Sequence, residues 1–88
     1  MKVKKDFVLR EVAGSRVAVP VGRASVDFNG MLSLNESGAL LWRTLERGAD
    51  RDALVAALTA AYEVGEDEAA RDVEEFLATL RSVGCLDE

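Results

Sequence analysis

The hydrophobic pattern changes from that of strands to that of helices within one stretch of the chain, Val26-Asp27-Phe28-Asn29-Gly30-Met31-Leu32-Ser33-Leu34-Asn35-Glu36-Ser37-Gly38-Ala39-Leu40-Leu41-Trp42. An Asn-Gly pair between short apolar runs favours a hairpin, because both residues tolerate the positive φ of a type I′ turn. Asn29-Gly30 is therefore predicted to turn the chain, and residues 31–34 are predicted to form the last strand of a sheet. Side chains alternate between the two faces of a strand, so Ser33 points away from the face of its two leucine neighbours.

Three helices are predicted to follow this strand, over about residues 36–46, 50–62 and 66–83. Asn35 and Asp50 are good N-caps, because a short side-chain oxygen accepts a hydrogen bond from an unpaired N–H of the first turn. Gly48 and Gly84 are predicted to end the first and third helices, since glycine readily adopts the left-handed conformation needed there. Apolar residues at strand and helix spacing define the predicted core: Leu32, Leu34, Leu41, Trp42, Leu45, Leu54, Leu58, Val73, Leu77 and Leu80.

The N-terminal part of the chain shows strand patterns. Residues 7–12 alternate imperfectly, as in a strand at a sheet edge, and residues 16–21 place valines on one face. Residues 25–28 lead into the Asn-Gly hairpin. The sequence thus predicts an α+β fold, with a small antiparallel sheet followed by three helices packed on one face. The whole chain is expected to be a single domain, with a disordered tail over residues 1–5.

Composition narrows the class of protein. The chain has 88 residues, of which 49% are hydrophobic, and this is enough for one domain with a modest core. No apolar run approaches the roughly 18 residues needed to cross a bilayer, and no signal peptide is recognisable. We therefore expect a cytoplasmic protein without a membrane partner, and the lone Cys85 fits a reducing compartment. The formal net charge of −5 argues against nucleic acid as a partner, although it does not exclude a local basic patch.

Catalytic chemistry is poorly represented in the sequence. Without histidine the chain has no imidazole base and no usual zinc site. Cys85 follows a predicted helix end, where the helix dipole disfavours a thiolate, and we interpret it as a small buried residue. The acidic residues match no calcium-loop spacing, and no phosphate-binding loop is present. We therefore expect no enzyme activity, no metal and no cofactor, which leaves a binding surface as the main candidate.

The predicted last strand offers such a surface. A strand at a sheet edge has a free row of N–H and C=O groups, which an extended peptide can satisfy by strand addition. Residues 31–34 contain no charge and no proline, two usual means of blocking an edge. The residues themselves leave a second interpretation open, in which a helix or loop covers this strand or the strand lies inside the sheet.

Two motifs lie in this stretch and in the third predicted helix. The first is Asp27-Phe28-Asn29-Gly30 followed by Leu32-Ser33-Leu34-Asn35-Glu36-Ser37-Gly38, and the second is Asp72-Val73-Glu74-Glu75-Phe76-Leu77 with Leu80 and Gly84. In this order and at this distance they resemble the motifs of PqqD-like peptide chaperones. That family is also called the RiPP precursor recognition element, a small winged-helix-like module. The resemblance covers about residues 7–86.

The resemblance implies that the chain binds the leader segment of a ribosomally made precursor peptide and delivers it to a separate maturation enzyme, such as a radical-SAM enzyme. The leader is expected to add as a strand in the groove between the last strand of the sheet and the third helix. The strand carries over to Met31, Leu32, Ser33 and Leu34, and the helix to the Asp72–Leu80 motif. On that helix we predict that the groove side is formed by Asp72, Glu75, Phe76, Thr79 and Leu80. Phe76 and Leu80 also suit the core. Family members often have a large apolar residue after the helix-ending glycine, whereas this chain has Cys85.

A second function fits the same fold, because winged-helix modules also bind DNA or act in regulation, and a fold does not decide function. A recognition helix needs Arg, Lys, Asn or Gln side chains that reach bases and phosphates. The second predicted helix has only Arg51, and the third has Arg71 and Arg81 among a majority of acidic residues. Charge therefore favours the peptide-binding interpretation over nucleic acid.

Self-association is also expected. A free apolar edge beside a groove can be filled by a second copy of the chain, and PqqD-like domains are prone to exchange elements. The sequence therefore predicts a concentration-dependent homodimer that added leader peptide dissociates.

Overall fold

The computed structural model describes residues 1–22 and 32–88. Its elements, in chain order, are β1 (Lys2–Val3), β2 (Phe7–Val12), β3 (Ser15–Pro20), β4 (Leu32–Leu34), α1 (Glu36–Glu46), α2 (Arg51–Ala61), α3 (Glu66–Val83) and β5 (Leu86–Asp87). These elements confirm the predicted α+β fold, with a small antiparallel sheet first and three helices after it. The predicted Asn29-Gly30 hairpin, residues 25–28 and Met31 lie outside the described residues.

Strands β2, β3 and β4 form one antiparallel sheet in that order, so β3 is central and β4 lies at an edge. The turn between β2 and β3 has positive φ at both residues, 51° at Ala13 and 82° at Gly14. This is the two-residue hairpin geometry that matches the twist of the flanking strands. Leu9 lies opposite Ala18, which in turn lies opposite Leu32. These three side chains share the sheet face that packs on the core.

The two ends of the chain meet in a second, two-stranded sheet, in which β1 pairs antiparallel with β5. The backbone N–H of Lys4 donates to the carbonyl of Cys85 at 2.9 Å, and Met1 exchanges backbone hydrogen bonds with Ala49 in the loop after α1. The structure thus places in a strand two residues that the sequence predicts as part of a disordered tail over residues 1–5. A two-residue strand has no detectable periodicity, and its partner comes from the far end of the chain.

The predicted helix ends are confirmed. The side chains of Asn35 and Asp50 each accept a hydrogen bond from the backbone N–H three residues further on, at 2.8 Å. Gly48 follows α1 with a φ of 87°, and Gly84 ends α3 with a φ of 82°. Both glycines adopt the left-handed conformation that a β-carbon would strain.

The core lies between the helices and one face of the three-stranded sheet. Its buried cluster is Phe7, Ala18, Leu41, Trp42, Leu45, Leu54, Leu58, Ala69, Val73, Leu77, Leu80, Cys85 and Leu86. All predicted helical core residues belong to it, whereas Leu32 and Leu34 are half-buried and pack against it. Trp42 is 0% exposed, and its indole Nε1 has no hydrogen-bond partner in the described structure. Burial of this ring therefore stabilises the core, whereas its unpaired indole N–H lowers the net gain in stability.

Candidate functional site

The outer edge of β4 has no strand beside it among the described residues, because β3 occupies its other side. Ser33 is exposed at this edge, while Leu32 and Leu34 turn toward the core. The predicted alternation of β4 is thus confirmed. Of the two interpretations that the sequence leaves open, an edge position is the one that the described strands support.

The hairpin register shows how hydrogen bonds alternate along the sheet. In a two-residue hairpin the closing pair exchanges both backbone hydrogen bonds, and such pairs recur at every second residue. Val12 and Ser15 form the closing pair here. The bond from the N–H of Val21 to the carbonyl of Asp6, 2.6 Å long, continues the same alternation beyond the strand ends. Val17 therefore directs its N–H and C=O toward β2.

The same alternation fixes which backbone groups of β4 face outward. Since Val17 bonds toward β2, its neighbours Arg16 and Ala18 bond toward β4. Their partners on β4 are Leu34 and Leu32, and the residue opposite Val17 is Ser33. Ser33 is thus in a non-hydrogen-bonded pair with Val17, and both its N–H and its C=O point away from β3, to the side of β4 that has no strand among the described residues.

A groove opens between the start of α1 and α3, next to this edge, and we call it the α1–α3 groove. It has two parts, with volumes of about 250 and 300 Å³, which share four lining residues and are therefore continuous. Helix α3 contributes Asp72, Glu75, Phe76 and Thr79 to its lining, and the start of α1 contributes Asn35, Glu36, Ser37 and Gly38. The buried Leu41 and Leu58 lie at its base, and the half-buried Tyr62 and Val64 complete its apolar lining.

Gly38 joins the groove to the edge strand. A β-carbon built on Gly38 would lie 3.5 Å from Cε1 of Phe76 and 3.6 Å from Cβ of Leu34. The end of β4, the first turn of α1 and the middle of α3 therefore converge at one point. The α1–α3 groove thus comes close to the end of β4, with the half-buried ring of Phe76 at the junction.

The predicted site residues fall into three groups. Four of the five helix residues, at positions 72, 75, 76 and 79, line the α1–α3 groove. Leu80 is 0% exposed and belongs to the core, so its predicted role in the core is confirmed, and it does not line the groove. On the strand, Leu32, Ser33 and Leu34 lie at the edge, and Met31 lies outside the described residues.

The sequence pattern does not predict that residues at the start of α1 and after α2 line the groove. Ser37 and Gly38 lie in the first turn of α1, where the role of Asn35 as N-cap accounts for the local pattern without any ligand. Tyr62 and Val64 lie in the connection after α2, which has no periodicity. The one available signal was Gly38, because glycine inside a helix costs stability unless close packing requires it.

The charged residues that line the groove are Glu36, Asp72 and Glu75, and no lysine or arginine lines it in the part of the chain that the structure describes. Carboxylates repel the phosphate backbone of nucleic acids. The groove therefore gives no support to the DNA-binding alternative.

Cys85 lies away from the groove. It is fully buried behind Gly84, and its burial raises the pKa of the thiol, so the reactive thiolate is disfavoured. Its interpretation as a small buried residue is confirmed. Within residues 1–22 and 32–88, no three His, Cys, Asp or Glu side chains cluster as a metal site, and none of the helices could span a bilayer.

No curated protein sequence matches the chain significantly. TbiB1 in complex with the TbiA(beta) leader peptide has a TM-score of 0.75 to this chain at 24% identity, with 99% of this chain and 100% of that chain covered. Lasso peptide synthetase B1, complexed with the leader peptide, also has a TM-score of 0.75, at 23% identity with 96% and 93% covered. Both share this fold. The model of the family described as coenzyme PQQ synthesis protein D matches residues 8–86, and the chain therefore belongs to the PqqD family.

Proposed function

We propose that this chain binds the leader segment of a ribosomally synthesised precursor peptide as an added strand along β4, and presents it to a separate modifying enzyme. The observation that carries the proposal is the outward-facing backbone of Ser33, which lies beside a groove walled by Phe76. Two proteins of the same fold, TbiB1 and lasso peptide synthetase B1, are solved with leader peptides bound. That shared fold supports the same class of ligand here.

The position of β4 suits strand addition. A peptide added at its edge alternates its side chains between the two faces of the enlarged sheet. One set of side chains would lie on the side of Leu32 and Leu34, where the α1–α3 groove begins. The half-buried ring of Phe76 offers these side chains apolar surface. Backbone hydrogen bonds then supply the register, and burial of apolar side chains supplies much of the affinity.

In this proposal the chain delivers the precursor peptide to an enzyme and does not itself catalyse the modification. The groove contains carboxylates, hydroxyls and apolar side chains, and the one thiol of the chain is buried away from it. The modification itself belongs to a separate maturation enzyme, a radical-SAM or other peptide-modifying enzyme, in the cytoplasm. The edge of β4 that takes up the leader can also take up a second copy of the chain. The proposal therefore includes a homodimer that forms when no leader is bound.

Titration calorimetry with the leader encoded by the precursor gene beside this one tests the proposal. Ser33→Pro removes an N–H that β3 does not use, so the sheet keeps its ladder while the leader loses a donor. We expect affinity to fall about tenfold, because an unpaired buried acceptor costs on the order of 1–3 kcal/mol. Ser33→Ala keeps the N–H and should bind like the wild type.

Circular dichroism first establishes that both variants remain folded. Equal affinities of folded Ser33→Pro and Ser33→Ala would place the leader elsewhere. Tight, salt-sensitive DNA binding without any precursor binding would favour the winged-helix alternative instead.

A further inference from the structure

Most acidic residues of α3 have a visible reason for their position. Glu66, Asp67 and Glu68 lie in the first turn, where the helix dipole favours negative charge. Glu74 forms an ion pair with Arg51 of α2. These carboxylates therefore stabilise the domain itself and need no ligand.

Asp72 and Glu75 have no such reason. Both lie beyond the first turn of α3, outside the reach of the helix dipole. Among the described residues the ion pairs are Arg51–Glu74 and Arg81–Glu88, so neither carboxylate has a cationic partner. Since they are three residues apart on one helix face, they also repel each other.

The groove places these two unpaired carboxylates beside an aromatic ring. Asp72, Glu75 and Phe76 line the same part of the α1–α3 groove, which continues past Glu36 at the start of α1. A long cationic side chain matches this arrangement, because its aliphatic stem or guanidinium plane packs on an aromatic ring while its charge meets the carboxylates. No cation of the described chain fills this position.

We propose that the peptide bound at this site carries a lysine or arginine at the position that faces Asp72 and Glu75, and that this charge selects the peptide and sets its register. The inference rests on the proposed function, since it concerns the same groove and the same added strand. A one-residue slip would carry the cationic side chain to the opposite face of the sheet. Backbone hydrogen bonds to Ser33 are the same for any peptide sequence. The carboxylates thus add the selectivity that these bonds lack.

A displayed library of random 12-residue peptides, selected on the wild-type chain, is the probe. We expect the selected peptides to be enriched in Lys or Arg at one position with a constant offset from their apolar residues. Changing that residue to Gln in a synthetic peptide should weaken binding about fivefold, as expected for one partly exposed ion pair. The double variant Asp72→Asn with Glu75→Gln should weaken binding of the unchanged peptide by a similar factor. The double variant and the Gln-substituted peptide together should bind no more weakly than either change alone.

Glu74→Gln is the matched control, because it removes a carboxylate from the same helix outside the groove. We expect it to leave the preference for a basic residue unchanged. Enrichment without Lys or Arg, or a preference that survives Asp72→Asn with Glu75→Gln, overturns the inference.

Ser33→Pro separates this failure from failure of the proposed function. Peptides that bind more weakly to Ser33→Pro but show no charge preference would leave strand addition standing and overturn the inference alone. Peptides that bind Ser33→Pro as tightly as the wild type would overturn both the inference and the proposed function. A selection that yields no binding peptide would do the same.

Discussion

The ring of Phe76 on α3 lies against the first turn of α1 at Gly38, with its Cε1 atom 3.5 Å from the point where a β-carbon on Gly38 would stand. Cβ of Leu34 lies 3.6 Å from the same point. The missing side chain at position 38 thus lets the edge strand and α3 approach each other. It also keeps the α1–α3 groove open where it meets β4.

Gly38→Ala should therefore affect the groove more than the fold. The new methyl group would stand 3.0 Å from Oδ1 of Asn35, which caps α1. This contact offsets the gain of about 0.5–1 kcal/mol that alanine usually brings to a helix interior. We predict stability close to that of the wild type and leader affinity lower by about tenfold, because the methyl group fills space at the groove junction.

Urea unfolding and calorimetric titration measure these two effects of Gly38→Ala. Gly65→Ala is the control, since a β-carbon at Gly65 meets nothing within 4 Å. If the two variants bind the leader equally well, the junction at Gly38 is not part of the binding surface.

Substitutions of Trp42 separate the stability that its ring contributes by packing from the cost of its unpaired indole N–H. Trp42→Ala should cost roughly 3–5 kcal/mol of stability, as large truncations in a core do, which is enough to unfold a domain of this size. Trp42→Phe keeps most of the ring volume and removes the unpaired indole N–H, so we predict a much smaller loss. Denaturant midpoints compare the two. A Trp42→Phe variant as unstable as Trp42→Ala would contradict this packing role of the ring.

Phe76 is the apolar wall of the groove. Phe76→Ala should lower leader affinity by about tenfold or more, because apolar area that the leader would cover is lost. Affinity should fall by no more than about fivefold from low to high salt, since salt screens the ion pair to Asp72 and Glu75 but not the apolar contacts and backbone bonds. Val83→Ala, a half-buried change on the same helix outside the groove, serves as the control. Wild-type affinity in folded Phe76→Ala would remove α3 from the binding surface.

Self-association should compete with the leader for the edge of β4. We predict that sedimentation analysis shows a dimer that grows with protein concentration and dissociates when leader peptide is added. Ser33→Pro should weaken the dimer as well, because it removes the same outward donor. A dimer that persists at saturating peptide would show that the two surfaces do not overlap.

The sequence was sufficient wherever local rules decide the structure. Asn35 and Asp50 cap helices, and Gly48 and Gly84 follow helix ends, through interactions within a few residues. The helix residues that the family resemblance implies at positions 72, 75, 76 and 79 have helical spacing, so they share one face of α3, and all four line the groove.

Contacts between distant parts of the chain were beyond the reach of the sequence pattern. The pairing of β1 with β5 joins the two ends of the chain. Leu80 lies where the groove face of α3 meets its core face, and only the packing of α3 in the tertiary structure decides that it is buried. The contribution of Ser37 and Gly38 to the groove likewise depends on how α1 sits against α3.

The backbone amide of Ser33 reports strand addition most directly. Hydrogen exchange followed by NMR, at a concentration where the chain is monomeric, compares this amide in the free protein and with saturating leader. We predict fast exchange in the free protein, where the N–H points away from β3, and exchange slower by at least about tenfold in the complex. The amide of Val17, already bonded to β2, is the internal reference. An unchanged rate at Ser33, in a complex whose saturation is established by titration, would contradict strand addition at β4.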